Sequence, residues 1–117
     1  MRLSLSALLL FAVSIVVFAQ DTKLYVVTHV DLTPNYIADG TQLLLKFAAD
    51  SRKEKGVVRF ELLQEPGRKN HFTTVSVWEN QAAFDAHLGA EHTKQFREKL
   101  QPMLGGPLDE RLHANLQ

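Results

Sequence analysis

The sequence contains no cysteine. Disulfide bonds are therefore excluded, and so is lipid attachment at an N-terminal cysteine. Without disulfides, a chain of 117 residues must be held together by its hydrophobic core. A partner subunit is the other available source of stability.

Long runs of one charge are also absent, and 13 acidic residues balance 13 basic residues. This balance argues against nucleic acid or an anionic membrane surface as the main partner. We find no internal repeat. The length suits one compact domain and is too short for two.

The N-terminus has the pattern of an export signal. Arg2 supplies a positive charge, residues 8–18 are almost all apolar, and residues 17–19 form a cleavage site. The apolar run is shorter than the roughly 20 residues of a membrane-spanning helix. We expect cleavage after Ala19, a mature domain of residues 20–117 free of the membrane, and a periplasmic or secreted protein. The alternative is a retained N-terminal anchor.

The rest of the chain alternates between strand and helix patterns. The β-branched residues predict strands at Leu24–Asp31, Val57–Leu63 and His71–Glu79. The pattern of residues 108–116 is ambiguous, and Leu108, Leu112 and Leu116 would suit a last strand. Helices are predicted from Thr33-Pro34 to Gly56, over Gln81–Leu88 and over Glu91–Leu100.

Local signals support these helices. Thr33 offers a capping hydroxyl before Pro34, and Asn80 caps the second helix. Gly40 weakens the first helix and allows a close approach by another element, whereas Gly89 is expected to interrupt the second.

The order of elements is strand, helix, strand, strand, helix, strand. This order predicts an α+β protein with the ferredoxin-like βαββαβ arrangement, an antiparallel sheet with helices on one face. Nothing in so short a chain covers the other face of the sheet. A second copy of the chain would cover it most simply, so we expect a homodimer.

Several segments together resemble the antibiotic biosynthesis monooxygenase family. They are the strand His71–Asn80 with its Trp-Glu ending, Ala82-Ala83-Phe84, Ala86-His87, His92, Phe96, and the strands around Tyr25–Val30 and Gly56–Phe60. The resemblance extends from about Leu24 to His113 and implies a dimeric α+β barrel with a pocket between sheet and helices. Characterised members include anthrone oxygenases and quinol monooxygenases, which need no metal or flavin, and haem-degrading enzymes.

Cofactor-free oxygenation requires a base near neutral pKa in a dry pocket. The first candidate is His92, because Phe96 and Leu100 share its helical stripe and should turn it inward. Otherwise His92 is a histidine at the edge of the core that is hydrogen-bonded to the backbone.

His87 and His29 are the candidate assisting residues. His87 lines the pocket or is a solvated helix residue, and His29 faces either the helices or the dimer partner. Five residues separate His87 from His92, about 140° on a continuous helix. This spacing does not indicate a two-histidine metal site, and no metal is predicted.

The predicted substrate-binding residues are Trp78, Phe60, Phe84, Phe96 and Arg97. Trp78 offers a flat wall and an indole donor, or it only packs in the core. Arg97 could hold an anionic substrate, although an exposed salt bridge is the commoner role of such an arginine.

The sequence therefore predicts a cofactor-independent monooxygenase that oxidises a small aromatic quinol, phenol or enol with dioxygen. One alternative is a non-catalytic periplasmic protein that binds a small ligand. The other is a haem-binding or haem-degrading protein. The family's haem-degrading branch relies on an asparagine in the first strand, and Leu24–Asp31 contains none.

Overall fold

The computed structural model describes residues 2, 4, 6–15 and 21–117. The predicted cleavage site at residues 17–19 lies outside the described residues. Within those residues, no helix has the length and apolar character needed to cross a membrane.

The described residues form four strands and three α-helices. The strands are β1 (Leu24–Asp31), β2 (Val57–Glu65), β3 (Arg68–Trp78) and β4 (Asp109–Ala114), and the helices are α1 (Ile37–Arg52), α2 (Gln81–Gly89) and α3 (Glu91–Leu100). The strands form one antiparallel sheet in the order β2-β3-β1-β4. The helices pack on one face, and the predicted ferredoxin-like α+β fold is confirmed.

The alternation of residues along β1 decides which side chains face the helices. Val26 and Val30 are buried in the core, and Thr28 is buried between them. The intervening residues Val27 and His29 therefore lie on the opposite face of the sheet.

The core fills the space between the sheet and the helices. It comprises Val26, Val30, Leu32, Leu44, Phe47, Ala48, Phe60, Phe72, Trp78, Phe84, Phe96 and Leu100. Complete burial of one large apolar side chain contributes about 1.5–3 kcal/mol, so this layer dominates stability.

One predicted helix cap is confirmed, and two of the other local signals differ. The Asn80 side chain accepts a hydrogen bond from the Ala83 backbone N–H, as a helix cap should. Thr33 makes no such cap, since its hydroxyl donates to the Met103 carbonyl at 3.4 Å and a short 3-10 turn precedes α1. The break after α2 falls at Ala90, whose extended ψ of 142° ends the helix, and not at Gly89.

The hairpin between β2 and β3 is tighter than the sequence suggested. The turn consists of Pro66 and Gly67, and both strands extend to it through exposed polar residues. Polar side chains on a solvated two-stranded ribbon resemble those of a loop, which explains the shorter strands in the prediction.

Gly40 permits the close approach that the sequence suggested. A Cβ atom at this position would lie 2.4 Å from Cδ1 of Leu32, which is itself buried. The glycine therefore lets α1 rest directly on the chain that follows β1.

Candidate functional site

A narrow cavity lies between the sheet and the helices. Its apolar lining is Val26, Val30, Leu44, Phe47, Phe60, Phe84, Phe96 and Leu108, and its polar lining is Thr28, Thr74, Ser76, His87, Arg97 and Glu110. The free volume of about 20 Å³ holds about one water molecule. A ring-sized ligand therefore enters only when some lining side chains move.

His87 is the histidine that lines this cavity. It lies in the last turn of α2 and is 4% exposed. Its ring packs against the Trp78 ring, with 4.4 Å between centroids. Its Nδ1 lies 2.5 Å from Oε2 of Glu54, close enough for a charge-assisted hydrogen bond to the carboxylate.

The surroundings of His87 favour its neutral form. Burial lowers the pKa of His87 below its ordinary value, and the hydrogen bond to Glu54 opposes this shift only in part. A neutral ring whose Nδ1 is committed to Glu54 has Nε2 free to accept a proton.

Glu54 reaches His87 from the turn between α1 and β2. This turn depends on Gly56, which has a left-handed φ of 95° and whose carbonyl accepts a hydrogen bond from the Glu79 N–H. A Cβ atom on Gly56 would lie 2.7 Å from Cβ of Ala83, so α2 packs directly on the turn. This packing brings the two partners together.

His92, the base expected from the sequence, does not line the cavity. Its side chain is 25% exposed and lies beside a shallow groove on the outer side of α1 and α3. Phe96 and Leu100 are buried as expected, but His92 lies one turn before Phe96, in the first turn of α3. Its Nε2 lies 3.7 Å from Oε2 of Glu54, too far for a hydrogen bond.

His29 lies on the other face of the sheet, away from the cavity. Its Nδ1 is 3.1 Å from the Thr73 hydroxyl, and its ring stacks on His71 with 5.8 Å between centroids. The strand alternation that buries Thr28 and Val30 places His29 there, so it cannot assist His87 within one subunit.

Trp78 is a core residue behind the cavity. It is 0% exposed, does not appear in the cavity lining, and its indole N–H donates to the Ser76 hydroxyl at 3.0 Å. The expected substrate wall is therefore replaced by a supporting role, because Trp78 packs against the ring of His87.

The remaining predicted substrate-binding residues all line the cavity: Phe60, Phe84, Phe96 and Arg97. One guanidinium nitrogen of Arg97 donates to both carboxylate oxygens of Glu110, at 3.1 and 2.9 Å. The Thr28 hydroxyl donates to the same carboxylate at 3.2 Å. Arg97 is thus a salt-bridged residue at the cavity edge.

The sequence did not identify Glu54, Phe47 or Glu110. Glu54 lies in a run of charged residues that is typical of an exposed turn, so no local signal distinguishes it. Phe47 also lines the cavity, and its stacking on Phe96 at 3.8 Å depends on how α1 and α3 pack. The role of Glu110 also depends on tertiary structure, since the pairing of β4 with β1 in the sheet brings Glu110 beside Arg97.

Comparisons with known proteins agree with this fold. The antibiotic biosynthesis monooxygenase family profile matches residues 23–99. Protein sll1783 of Synechocystis sp., itself uncharacterized, is 25% identical over 93 residues, which are 80% of this chain. The chain spans 63% of the length of that relative.

Solved structures share the architecture. Rv0793 of Mycobacterium tuberculosis superposes with a TM-score of 0.77 and 19% identity, covering 81% of this chain and 96% of its own. PA3566 of Pseudomonas aeruginosa superposes with a TM-score of 0.76 and 22% identity, and the match covers 82% of this chain and 96% of PA3566. A variant of SnoaB, a cofactor-independent oxygenase from Streptomyces nogalater, superposes with a TM-score of 0.73 and 20% identity. The match covers 82% of this chain and 95% of the SnoaB chain.

Identities this low establish a shared fold and carry no substrate from one protein to another. The family profile, in contrast, covers well over half of the chain and includes α2, the helix that carries His87. This protein therefore belongs to the antibiotic biosynthesis monooxygenase family.

Proposed function

We propose that this protein is a cofactor-independent monooxygenase that oxidises a small aromatic quinol, phenol or enol with dioxygen. The observation that carries the proposal is the buried His87–Glu54 pair at the wall of a largely apolar cavity. Family membership and the likeness to a cofactor-independent oxygenase support it.

In this proposal His87 is the base, in place of His92. Nε2 of His87 takes the proton of a substrate hydroxyl, and Glu54 stabilises the imidazolium that results. The substrate anion then transfers an electron to dioxygen. With a quinol, one oxygen atom enters the ring and the other leaves as water, so the substrate supplies all the electrons and the products are a hydroxyquinone and water.

Two hydroxyl groups of the cavity suit such an anion. The hydroxyls of Thr74 and Ser76 line the same space and can donate to it. The charge of Arg97 at the cavity edge is paired with the carboxylate of Glu110, which lines the cavity as well. The apolar residues exclude water, which strengthens these interactions. Since the free volume is about 20 Å³, a single ring requires less side-chain movement than a polycyclic substrate.

The test is dioxygen consumption by the purified, metal-stripped protein against a panel of quinols, phenols and enols. The His87→Gln variant keeps a polar side chain and should lose at least about a hundredfold in kcat, the lower range for a general base. Glu54→Gln should lose less, because the base remains but its imidazolium is less stabilised.

His29→Gln is the matched control, because this histidine lies across the sheet from the cavity. It should consume dioxygen at the wild-type rate. Equal rates of dioxygen consumption in the wild-type and His87→Gln proteins would contradict the role of His87 as the base. If the wild type and all three variants bind a compound of the panel but none of them oxidises it, the result would instead favour a non-catalytic protein that binds a small ligand. The narrow cavity does not favour haem.

A homodimer is also part of the proposal. The sheet face opposite the helices carries an apolar strip of neighbouring residues from three strands: Tyr25, Val27, Val75, Val77 and Leu63. Leu63 is 49% exposed there. Charged residues surround this apolar strip, including the Arg59–Glu61 and Arg111–Asp109 pairs. An apolar centre with a charged rim is the usual composition of a subunit interface.

A further inference from the structure

Glu54 contacts two histidines. Its Oε2 lies 2.5 Å from Nδ1 of His87 and 3.7 Å from Nε2 of His92. One ligand atom from each of the three residues falls within 4.8 Å of the other two. The three side chains come from the turn after α1, from α2 and from α3, so the fold assembles the cluster.

The break at Ala90 makes this convergence possible. On a continuous helix His87 and His92 would point about 140° apart. Because the backbone is extended at Ala90, α3 begins in a new direction and the two rings come to 6.0 Å between centroids. The separation of about 140° applies only to a continuous helix, so it does not exclude a shared site across the break at Ala90.

His92 contains a polar atom that no residue in the described part of the chain satisfies. Nε2 is buried and has no hydrogen-bond partner among the described residues, although one edge of the side chain reaches solvent. A buried nitrogen without a partner costs about 1–3 kcal/mol. A cation between His92, His87 and Glu54 would supply the missing interaction.

We propose that Glu54, His87 and His92 bind a divalent transition metal of the Zn²⁺ type. Two imidazole nitrogens and one carboxylate oxygen are a donor set that zinc accepts, with a fourth position open to water. Ligands at ordinary zinc distances lie about 3.4 Å apart around a tetrahedral ion, and the distances to Glu54 need changes of about 1 Å or less.

Charge and access also fit a cation. Two neutral imidazoles and one carboxylate carry a net charge of −1. Arg97, which lines the cavity with His87, is paired with Glu110. Lys46, which lines the groove beside His92, is paired with Asp50. The shallow groove beside His92 provides the route from solvent, whereas His87 stands at the cavity on the other side.

Metal binding and base catalysis exclude each other at His87. A metal on Nδ1 leaves the ring proton on Nε2, which can then only donate a hydrogen bond to a substrate. The metal would therefore inhibit the oxidation, a consequence that rests on the function proposed above. The binding site itself does not depend on that function.

The test is calorimetric titration of the metal-stripped full chain with ZnCl₂, with no substrate present. We expect one ion per chain. His92→Asn and Glu54→Gln should each weaken Zn²⁺ binding by more than about 100-fold, because each removes a proposed ligand. Removal of a residue that only supports a ligand usually weakens binding by about 10- to 100-fold. His92 is partly exposed, so its variant should fold, and circular dichroism verifies this.

His71→Asn is the matched control, because His71 also pairs with a carboxylate but lies on the other side of the sheet. It should bind Zn²⁺ as the wild type does. Absence of binding to the folded wild type, or equal affinity in Glu54→Gln, would overturn the site. A wild-type protein that oxidises no substrate but binds one ion would leave the site standing and reject only the proposed function.

Discussion

At the residue scale, the role of each histidine follows from the side chain beside it. His87 and His92 both lie near Glu54, but only His87 is within hydrogen-bond distance and only His87 lines the cavity. His29 has the same chemistry and lies on a different surface. The identity of a residue thus sets what it can do, and its neighbours decide whether it does so.

Gly40 provides a prediction at this scale. Gly40→Ala should destabilise the protein by about 1 kcal/mol, because overpacking against Leu32 costs about 1–3 kcal/mol and outweighs the gain in helix propensity. Urea unfolding monitored by circular dichroism measures the change.

Gly89→Ala is its control, since nothing lies within 4 Å of a Cβ atom added there. That variant should be as stable as the wild type or slightly more stable. A Gly40→Ala protein as stable as Gly89→Ala would show that Leu32 adjusts without cost.

At the element scale, β4 is attached to the domain in two ways. It pairs with β1 along the edge of the sheet, and Glu110 joins it to Arg97 of α3 and Thr28 of β1. Most of β4 is exposed. Because Glu110, Arg97 and the preceding Leu108 also line the cavity, the position of this strand controls its width.

Glu110→Gln should therefore loosen β4. We expect faster amide exchange in Asp109–Ala114 and a loss of up to about 1 kcal/mol, since Arg97 and Glu110 are partly exposed and their pair is partly screened. Exchange monitored by mass spectrometry gives the regional change.

Lys46→Gln breaks an exposed pair on α1 and should leave β4 exchange unchanged, with a stability loss of about 0.5 kcal/mol or less. If exchange in β4 is the same in both variants, the contact between Arg97 and Glu110 does not hold the strand.

At the scale of the whole molecule, helices cover one face of the sheet, and no helix or strand among the described residues packs on the other face. Tyr25, Val27, Val75 and Val77 lie on the second face. Export from the cytoplasm stays a prediction from the N-terminal sequence.

Val75→Asp should convert the proposed dimer to a monomer, because the substitution places a charge in the centre of the apolar strip opposite Val27. Light scattering after size-exclusion chromatography measures the mass, and we expect a dimer for the wild type.

Leu45→Asp is the control at this scale, because Leu45 is 50% exposed on α1, on the helical side of the sheet. It should remain dimeric. A monomeric wild type, or a dimeric and folded Val75→Asp, would contradict this interface.

The sequence by itself determined the order of elements, the cap at Asn80 and the buried residues Phe96 and Leu100 of α3. These features depend on periodicity and on contacts a few residues apart, which a linear pattern records. The sequence also identified four aromatic or basic residues of the cavity, Phe60, Phe84, Phe96 and Arg97.

Only the tertiary structure decided which histidine lines the cavity. The choice depended on the pairing of β1 with β3 and β4, on the direction of α3 after Ala90, and on the turn at Gly56 that presents Glu54. The strand pairings join parts distant in sequence, and the backbone conformations at Ala90 and Gly56 matter through the distant contacts that they bring together. Burial and hydrogen bonding of His87 follow from such contacts, so no local pattern could contain them.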